Sequence, residues 1–241
     1  TTPLYVHALS LNSYINSSWR IVNGGSQLSK ILIKQLRKYG AELYKHQEVI
    51  GFESTNEKII SCSTLSQVYH ADLFISNINL KQSLGMVGQQ KFGKPFTKRI
   101  NSLQVVPSVF SVYIVLKPNK IPYFNYNMYH FKDENAVWES YHQKAENWPQ
   151  MAVITTGISA EDQNFCDSIT IMTYMHFEEV EKWENSFNTV SEKQERGLDY
   201  EKFKEERISK LLSFIEEKIP NVKDNLVSLN VSTPLSYRDY I

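Results

Sequence analysis

Residues 19–53 read WRIVNGGSQLSKILIKQLRKYGAELYKHQEVIGFE, in which a glycine pair precedes a helical pattern, a single glycine and two short extended segments. The apolar residues of the helical part recur at three- and four-residue steps, as on one face of an α-helix. We expect Ser26 to cap this helix at its start and Gly40 to end it in the left-handed conformation. The segment therefore predicts a glycine-capped helix followed by extended chain at residues 41–44 and 48–52.

The glycine pair, Gly24 and Gly25, stands directly before this helix. Two glycines in a row allow a backbone approach that no Cβ would tolerate. A glycine pair before a helix N-terminus can also hold an anion, but the pattern alone fits any glycine-capped helix packed beside a sheet. The chain contains no G-x-G-x-x-G, so the pair is not a dinucleotide-binding fingerprint.

Outside this segment, strand patterns alternate with turn signals. Residues 58–63 are predicted to pair with residues 48–52 across a turn at residues 55–57, and residues 81–99 predict irregular chain. The other predicted elements are strands at residues 68–70, 71–77, 107–116, 123–131, 152–156, 168–176 and 225–231, and helices at residues 177–187 and 200–219. This order predicts an α+β fold, with a mainly antiparallel mixed sheet and packed helices.

The length of 241 residues allows one large domain or two small ones. Residues 1–80 could form a small subdomain, with residues 81–241 as the second domain. A single continuous domain fits the same pattern.

Composition argues against several classes of protein. Lys and Arg number 26 and Asp and Glu also number 26, which argues against a nucleic-acid binder that relies on bulk positive charge. No segment has the uncharged apolar run of about 18 residues that a transmembrane helix needs. The two cysteines, Cys62 and Cys166, and the 6 histidines show no disulfide or metal-ligand spacing. No acid–base or nucleophilic constellation identifies a catalytic residue.

Four segments resemble, in the same order, segments of FAD-dependent oxidoreductases of the retinol saturase and phytoene desaturase group. They are residues 19–53, ADLFISNIN at residues 71–79, PQMAVITTGISAEDQNFCDSITIMTYMHFEEVEKW at residues 149–183, and GLDYEKFKEERISKLLSFIEEKIPNVKDNLVSLNVSTPLSYRDYI at residues 197–241. The resemblance implies the substrate domain of a two-domain flavoenzyme, with residues 1–80 on the flavin side and residues 81–241 binding substrate. It also implies hydride transfer between FAD and an apolar isoprenoid polyene, which saturates or introduces a carbon–carbon double bond.

Two parts of the family's cofactor site are unmatched. The family's G-x-G-x-x-G, which cradles the FAD pyrophosphate, has no counterpart in this chain. The family's second glycine-rich flavin contact lies beyond its Thr-Pro-Leu segment, which matches residues 233–235 here. We therefore expect an internal fragment that binds FAD weakly and is inactive alone, while the full-length parent binds FAD.

The resemblance implies cofactor-binding positions at Gly24, Gly25, Val49 and Asn77. Val49 matches a valine whose backbone meets the adenine ring, although a buried strand valine fits the same pattern. The glycine pair also fits a turn at the domain boundary. Asn77 also fits a cap for a helix that begins near Asn79.

An aromatic segment is predicted to line a polyene-sized cavity, because flat aromatic walls suit an extended conjugated chain. Its residues are Tyr123, Phe124, Tyr126, Tyr129 and Phe131. Ordinary sheet surface and core is the alternative interpretation. We expect the strands at residues 107–116, 123–131 and 168–176 to form one wall of the cavity, partly uncovered, so that the fragment self-associates.

Two further functions stay open at this point. One is an amine-oxidase-like flavoenzyme acting on a smaller substrate, and the other is a stand-alone module that binds a hydrophobic ligand without redox activity. The leading hypothesis predicts an apolar small molecule as partner and no nucleic acid. It predicts a cytoplasmic location and allows peripheral contact with a membrane.

Overall fold

The computed structural model describes residues 3–16, 19–21, 23–55, 58–103, 108–189 and 192–240. In chain order its main elements are α1 (Leu4–Ile15), α2 (Ser26–Lys38), β1 (Val49–Ser54), β2 (Ile59–Thr64), β3 (Val68–His70), α3 (Leu80–Val87), α4 (Lys94–Asn101), β4 (Ser108–Leu116), β5 (Ile121–Pro122), β6 (Met128–Phe131), α5 (Ala136–Glu139), β7 (Met151–Ile158), β8 (Phe165–Met175), α6 (Leu198–Ile215), β9 (Leu226–Ser232) and α7 (Pro234–Tyr240). Short 3₁₀ turns supplement them, among others at Phe177–Glu179 and Glu181–Trp183.

The strands form two separate antiparallel sheets in the described part of the chain. The small sheet has the order β1-β2-β3, and α3 packs against β1. The large sheet has the order β6-β7-β8-β4-β9, with β5 paired to the beginning of β8. Helices and antiparallel sheets together confirm the predicted α+β fold. The division of the chain near residue 80 stays a prediction.

The hydrophobic core lies between one face of the large sheet and α6. Alternate side chains of β4, namely Phe110, Val112 and Ile114, are buried, because successive side chains of a strand point to opposite faces. Leu211 and Ile215 of α6 are fully buried in the same cluster. α6 therefore packs against one face of the large sheet and buries it.

The segment that opened the sequence analysis forms its predicted helix with a different start. Gly25, not Ser26, is the N-cap of α2, and Ser26 is the first helical residue. The prediction for Gly40 is confirmed: its φ is +79°, and the Gly40 and Ala41 N–H groups donate to the Arg37 and Leu36 carbonyls at 3.0 Å. This pair of bonds is a Schellman motif, for which glycine is favoured.

Several element predictions are wrong. Residues 41–44 and 71–77 form no strand, and the predicted strand at residues 123–131 is shortened to β6 by an irregular loop. The helix predicted at residues 177–187 is instead a series of 3₁₀ turns, as in the Val180 N–H bond to the Phe177 carbonyl at 2.9 Å. The predicted strands at residues 48–52, 58–63, 68–70, 152–156, 168–176 and 225–231 are confirmed within a few residues. Residue 107 and residues 56 and 57 of the predicted turn lie outside the described residues.

The irregular chain predicted at residues 81–99 is also wrong, because α3 and α4 occupy most of it. Gly88 follows the end of α3 with a φ of +99°, and Pro95 lies in the first turn of α4. Proline in a first turn costs no helical hydrogen bond. Gly88 and Pro95, which seemed to exclude helices, therefore mark helix ends, whereas Gly85 lies inside α3.

Candidate functional site

The face of the large sheet opposite α6 is the candidate site, and we call it the open face. The His130 ring lies 4.5 Å from the Phe214 ring of α6, between centroids, so its neighbours in β6 point away from that helix. On the open face Tyr129 is 53% exposed and Tyr113 is 40% exposed. The large sheet is therefore covered fully on one face and partly on the other.

The strand register aligns one residue from each of five strands across the open face. Tyr129 pairs with Val153, Val153 with Met172, Met172 with Ser111, and Ser111 with Ser232. We call these five residues the central row. Four strand spacings span about 19 Å. The row is apolar at its middle, aromatic at one end and hydroxylic at the other.

At the hydroxylic end, three hydroxyl groups form a cluster, which we call the hydroxyl cluster. The Ser111 and Tyr237 hydroxyl oxygens lie 2.7 Å apart, and the Tyr113 side chain is near enough to the Tyr237 hydroxyl to affect its pKa. Ser111 is fully buried, whereas Tyr113 reaches the surface. Burial is the main cause that raises the pKa of Tyr237, the hydrogen bond with Ser111 opposes it, and the neighbouring Tyr113 raises it further.

Helix α7 brings Tyr237 to the sheet. It begins directly after Thr233, whose hydroxyl lies 2.8 Å from the Tyr200 hydroxyl of α6. Leu235 is fully buried and fixes the first turn of α7. A cavity of about 440 Å³ adjoins this end of the row and is lined in part by Ser232 and Tyr237.

At the aromatic end, the chain before α2 crosses the edge of the large sheet. The Tyr14 side chain lies near the Tyr129 hydroxyl, and this neighbour is the main cause that raises the pKa of Tyr129. Arg20 donates to the Thr156 carbonyl at 2.7 Å, and to the Tyr126 carbonyl at 2.8 Å. The pairing of β7 with β6 ends before Thr156, so the Thr156 carbonyl has no N–H donor from β6. The Arg20 guanidinium supplies that donor instead.

The five aromatic residues predicted to line a cavity do not share one face. Tyr129 and Phe131 alternate with His130 and so lie on the open face. Tyr123 and Phe124 pack in part against the hydrophobic core, and Tyr126 is 58% exposed in the loop. That these five residues contact the substrate remains a prediction. The hydroxyl cluster was missed, because its members come from β4 and α7 and carry no local pattern.

The predicted cofactor-binding residues lie at or near the surface of the N-terminal third. Gly24 has a φ of +82°, which favours glycine, whereas Gly25 has a φ of −61°. An added Cβ at either glycine would meet no described atom within 4 Å, so the expected close backbone approach is wrong within this chain. Val49 begins β1 and Asn77 lies in irregular chain before α3.

The predicted capping role of Asn77 is wrong. Asn79 is the N-cap of α3, and its side chain accepts a hydrogen bond from the Lys81 N–H at 2.9 Å. Contact with a flavin remains a prediction for Asn77, as it does for the glycine pair and Val49.

Metal and membrane features can be stated for the described ranges. No cluster of three or more His, Cys, Asp or Glu side chains there could hold a metal ion. Among the helices that the structure describes, none combines the length and apolar character needed to cross a membrane.

The central row gives the open face an apolar middle and a polar end. The chain is similar to the all-trans-retinol 13,14-reductase of Danio rerio, with 22% identity over 258 residues. The similarity covers 98% of this chain and 41% of that protein, so the chain spans less than half the length of this curated relative. No protein-family model matches the chain. The relative is by its name an oxidoreductase, and the similarity supports an oxidoreductase family.

Proposed function

We propose that this chain is the substrate-binding part of an FAD-dependent oxidoreductase that acts on a carbon–carbon double bond of an apolar isoprenoid or polyene. The observation that carries the proposal is the central row, because its apolar middle, Val153 and Met172, is partly exposed between Tyr129 and the buried Ser111 and suits an apolar polyene. The similarity to a retinol reductase over 98% of the chain supports the same substrate class. All-trans-retinol is the substrate that we propose to test first.

In this proposal the chain binds and orients the substrate. Val153 and Met172 contact the middle of the polyene, and the thioether of Met172 adapts to its shape. Tyr129 presents an aromatic ring near one end. When bound, FAD supplies the hydride chemistry, and the protein supplies position and exclusion of water.

The residues proposed to face the FAD are Gly24, Gly25, Val49 and Asn77. Apart from the adjoining residues, no described atom of this chain lies within 4 Å of a Cβ built at either glycine, so a cofactor atom can approach the backbone there. The N-terminus of α2 has no side-chain cap, but its Gln27 and Leu28 N–H groups already donate to the Gly24 and Gly25 carbonyls at 3.2 and 3.1 Å, so we assign no anionic group to it. Since the chain has no G-x-G-x-x-G, we expect it to bind FAD weakly alone and more tightly within a longer protein.

A binding experiment tests the substrate part of the proposal. All-trans-retinol is titrated into the chain and its fluorescence is measured. Met172→Glu places a carboxylate at the middle of the open face. Bound retinol would remove water from this carboxylate without giving it a partner, so we expect retinol to bind about tenfold more weakly. Val227→Glu is the matched control, since Val227 is 59% exposed and lies in β9 outside the central row. Equal affinities for the two variants would contradict binding at the open face.

A second experiment tests the redox part. A longer protein that contains this chain is incubated with FAD, a reductant and all-trans-retinol, and the polyene absorbance is followed. Loss of absorbance that requires FAD supports the oxidoreductase. Retinol binding without any FAD-dependent change would instead favour a binding module without redox activity.

A further inference from the structure

The two ends of the central row differ in how deeply their hydroxyl groups are buried. Ser111 is fully buried, and Tyr237, which α7 places on it, is partly buried. At the other end, Tyr129 is 53% exposed and its partner Tyr14 is 57% exposed. A hydrogen bond in a desolvated position discriminates between ligands more strongly than one in contact with water, because an unpaired buried group has no solvent to replace its partner.

The hydroxyl cluster also has hydrogen-bonding capacity left over. Each hydroxyl supplies one donor and two acceptor lone pairs. The bond between Ser111 and Tyr237 uses one of the three donors within the described structure. Two donors and several lone pairs remain, and the partly exposed Tyr113 can offer its hydroxyl to a ligand. The adjoining cavity of about 440 Å³ gives room for a polar group beside Ser232 and Tyr237.

We infer that the hydroxyl cluster of Ser111, Tyr113 and Tyr237 binds a terminal hydroxyl of the substrate, and thereby fixes the direction in which the substrate lies across the strands. The substrate class is then a linear apolar alcohol rather than a pure hydrocarbon. Its hydroxyl end lies at Tyr113 and Tyr237, beside the buried Ser111, and its apolar chain runs over Met172 and Val153 toward Tyr129. This inference rests on the proposed function and specifies which end of the polyene is recognised.

The test compares two ligands and separates recognition of the hydroxyl from general apolar binding. The ligands are all-trans-retinol and the hydrocarbon analogue in which hydrogen replaces its terminal hydroxyl. In Tyr237→Phe we expect the Kd for retinol to rise about tenfold, as for loss of one buried hydrogen bond, and the Kd for the hydrocarbon to stay within about twofold. In Tyr129→Phe, which removes the hydroxyl at the other end of the row, we expect both Kd values to change by the same factor. Tyr39→Phe is the matched control, since Tyr39 is 83% exposed at the end of α2, and there we expect both Kd values to stay within about twofold.

A second variant guards against a folding defect in Tyr237→Phe. Tyr113 is 40% exposed, so Tyr113→Phe leaves the packing intact, and we expect it to weaken retinol binding and leave hydrocarbon binding unchanged. Equal weakening of both ligands in these variants would overturn the inference and leave the proposed function standing. Selective weakening in Tyr129→Phe instead would also overturn it, because the hydroxyl end would then lie at β6. If the unmodified chain binds neither ligand, the proposed function fails together with the inference.

Discussion

Arg207 Nη2 lies 2.7 Å from Glu179 Oε2, and the two side chains are 11% and 7% exposed. The guanidinium also lies 4.9 Å from the Trp148 ring and 5.3 Å from the Phe203 ring, measured to the centroids. This pair joins α6 to the 3₁₀ turn that follows β8. Glu179 Oε1 is buried and has no hydrogen-bond partner among the described residues. Burial is the main cause that raises the pKa of Glu179, and Arg207 opposes it.

Replacing Arg207 should destabilise the fold in a pH-dependent way. We expect Arg207→Leu to lower the free energy of unfolding at pH 7 by about 3 kcal/mol, because a buried carboxylate is left without its counter-ion. Because the folded-state pKa of Glu179 is raised, the folded protein binds its proton more readily than the unfolded chain does. The contribution of Glu179 to stability therefore increases as pH falls through that raised pKa. The decrease in the free energy of unfolding caused by Arg207→Leu should become smaller over the same range, because protonation removes the unpaired charge. Urea unfolding at several pH values between neutral and mildly acidic measures this trend.

Lys223→Met is the control for this prediction. It breaks the Lys223–Glu216 ion pair of 2.9 Å, whose side chains are 39% and 47% exposed. Exposed pairs contribute about 1 kcal/mol or less, so we expect a small effect. A similar loss in both variants, with no dependence on pH in Arg207→Leu, would contradict the role assigned to Glu179.

The two glycines at the ends of α2 should respond differently to alanine. Gly40→Ala places a side chain at a φ of +79° and is expected to cost the helix about 1 kcal/mol, whereas Gly25→Ala at a φ of −61° is expected to be nearly neutral. Amide hydrogen exchange of α2 measures the difference, since α2 has no buried residue to couple it to global unfolding. Faster exchange in Gly25→Ala than in Gly40→Ala would show that the Schellman motif does not hold the end of the helix.

The sequence predicted the large sheet well because each strand carries its own signal. β4 and β8 are continuous β-branched and aromatic runs, and their alternation of buried and exposed positions is visible locally. α3 and α4 were missed because Gly88 and Pro95 were interpreted as signs of irregular chain, although they lie at helix ends. Local signals give element type more reliably than they give the place where an element ends.

The candidate site was less predictable than the sheet. Ser111 and Tyr237 are 126 positions apart in sequence, and their contact depends on the pairing of β4 with β9 and on the turn into α7. The aromatic segment that was predicted to line a cavity divides between the core and the open face, because the loop before β6 breaks the alternation. Long-range register, which periodicity does not encode, decides which side chains share a face.

Gly157 and Ser168 face each other across β7 and β8 on the open face, and they should behave as a coupled pair. A Cβ at Gly157 would clash with the Ser168 hydroxyl. The hydroxyl would then have to move and break its 2.9 Å hydrogen bond to Asp167. We expect Gly157→Ala to lower the free energy of unfolding by about 1 kcal/mol, as for modest overpacking. Ser168→Ala alone should be nearly neutral, and in the double variant the stability should return to within about 0.5 kcal/mol of the unmodified chain. Urea unfolding of the four proteins completes the double-mutant cycle, and strictly additive effects would contradict the steric coupling.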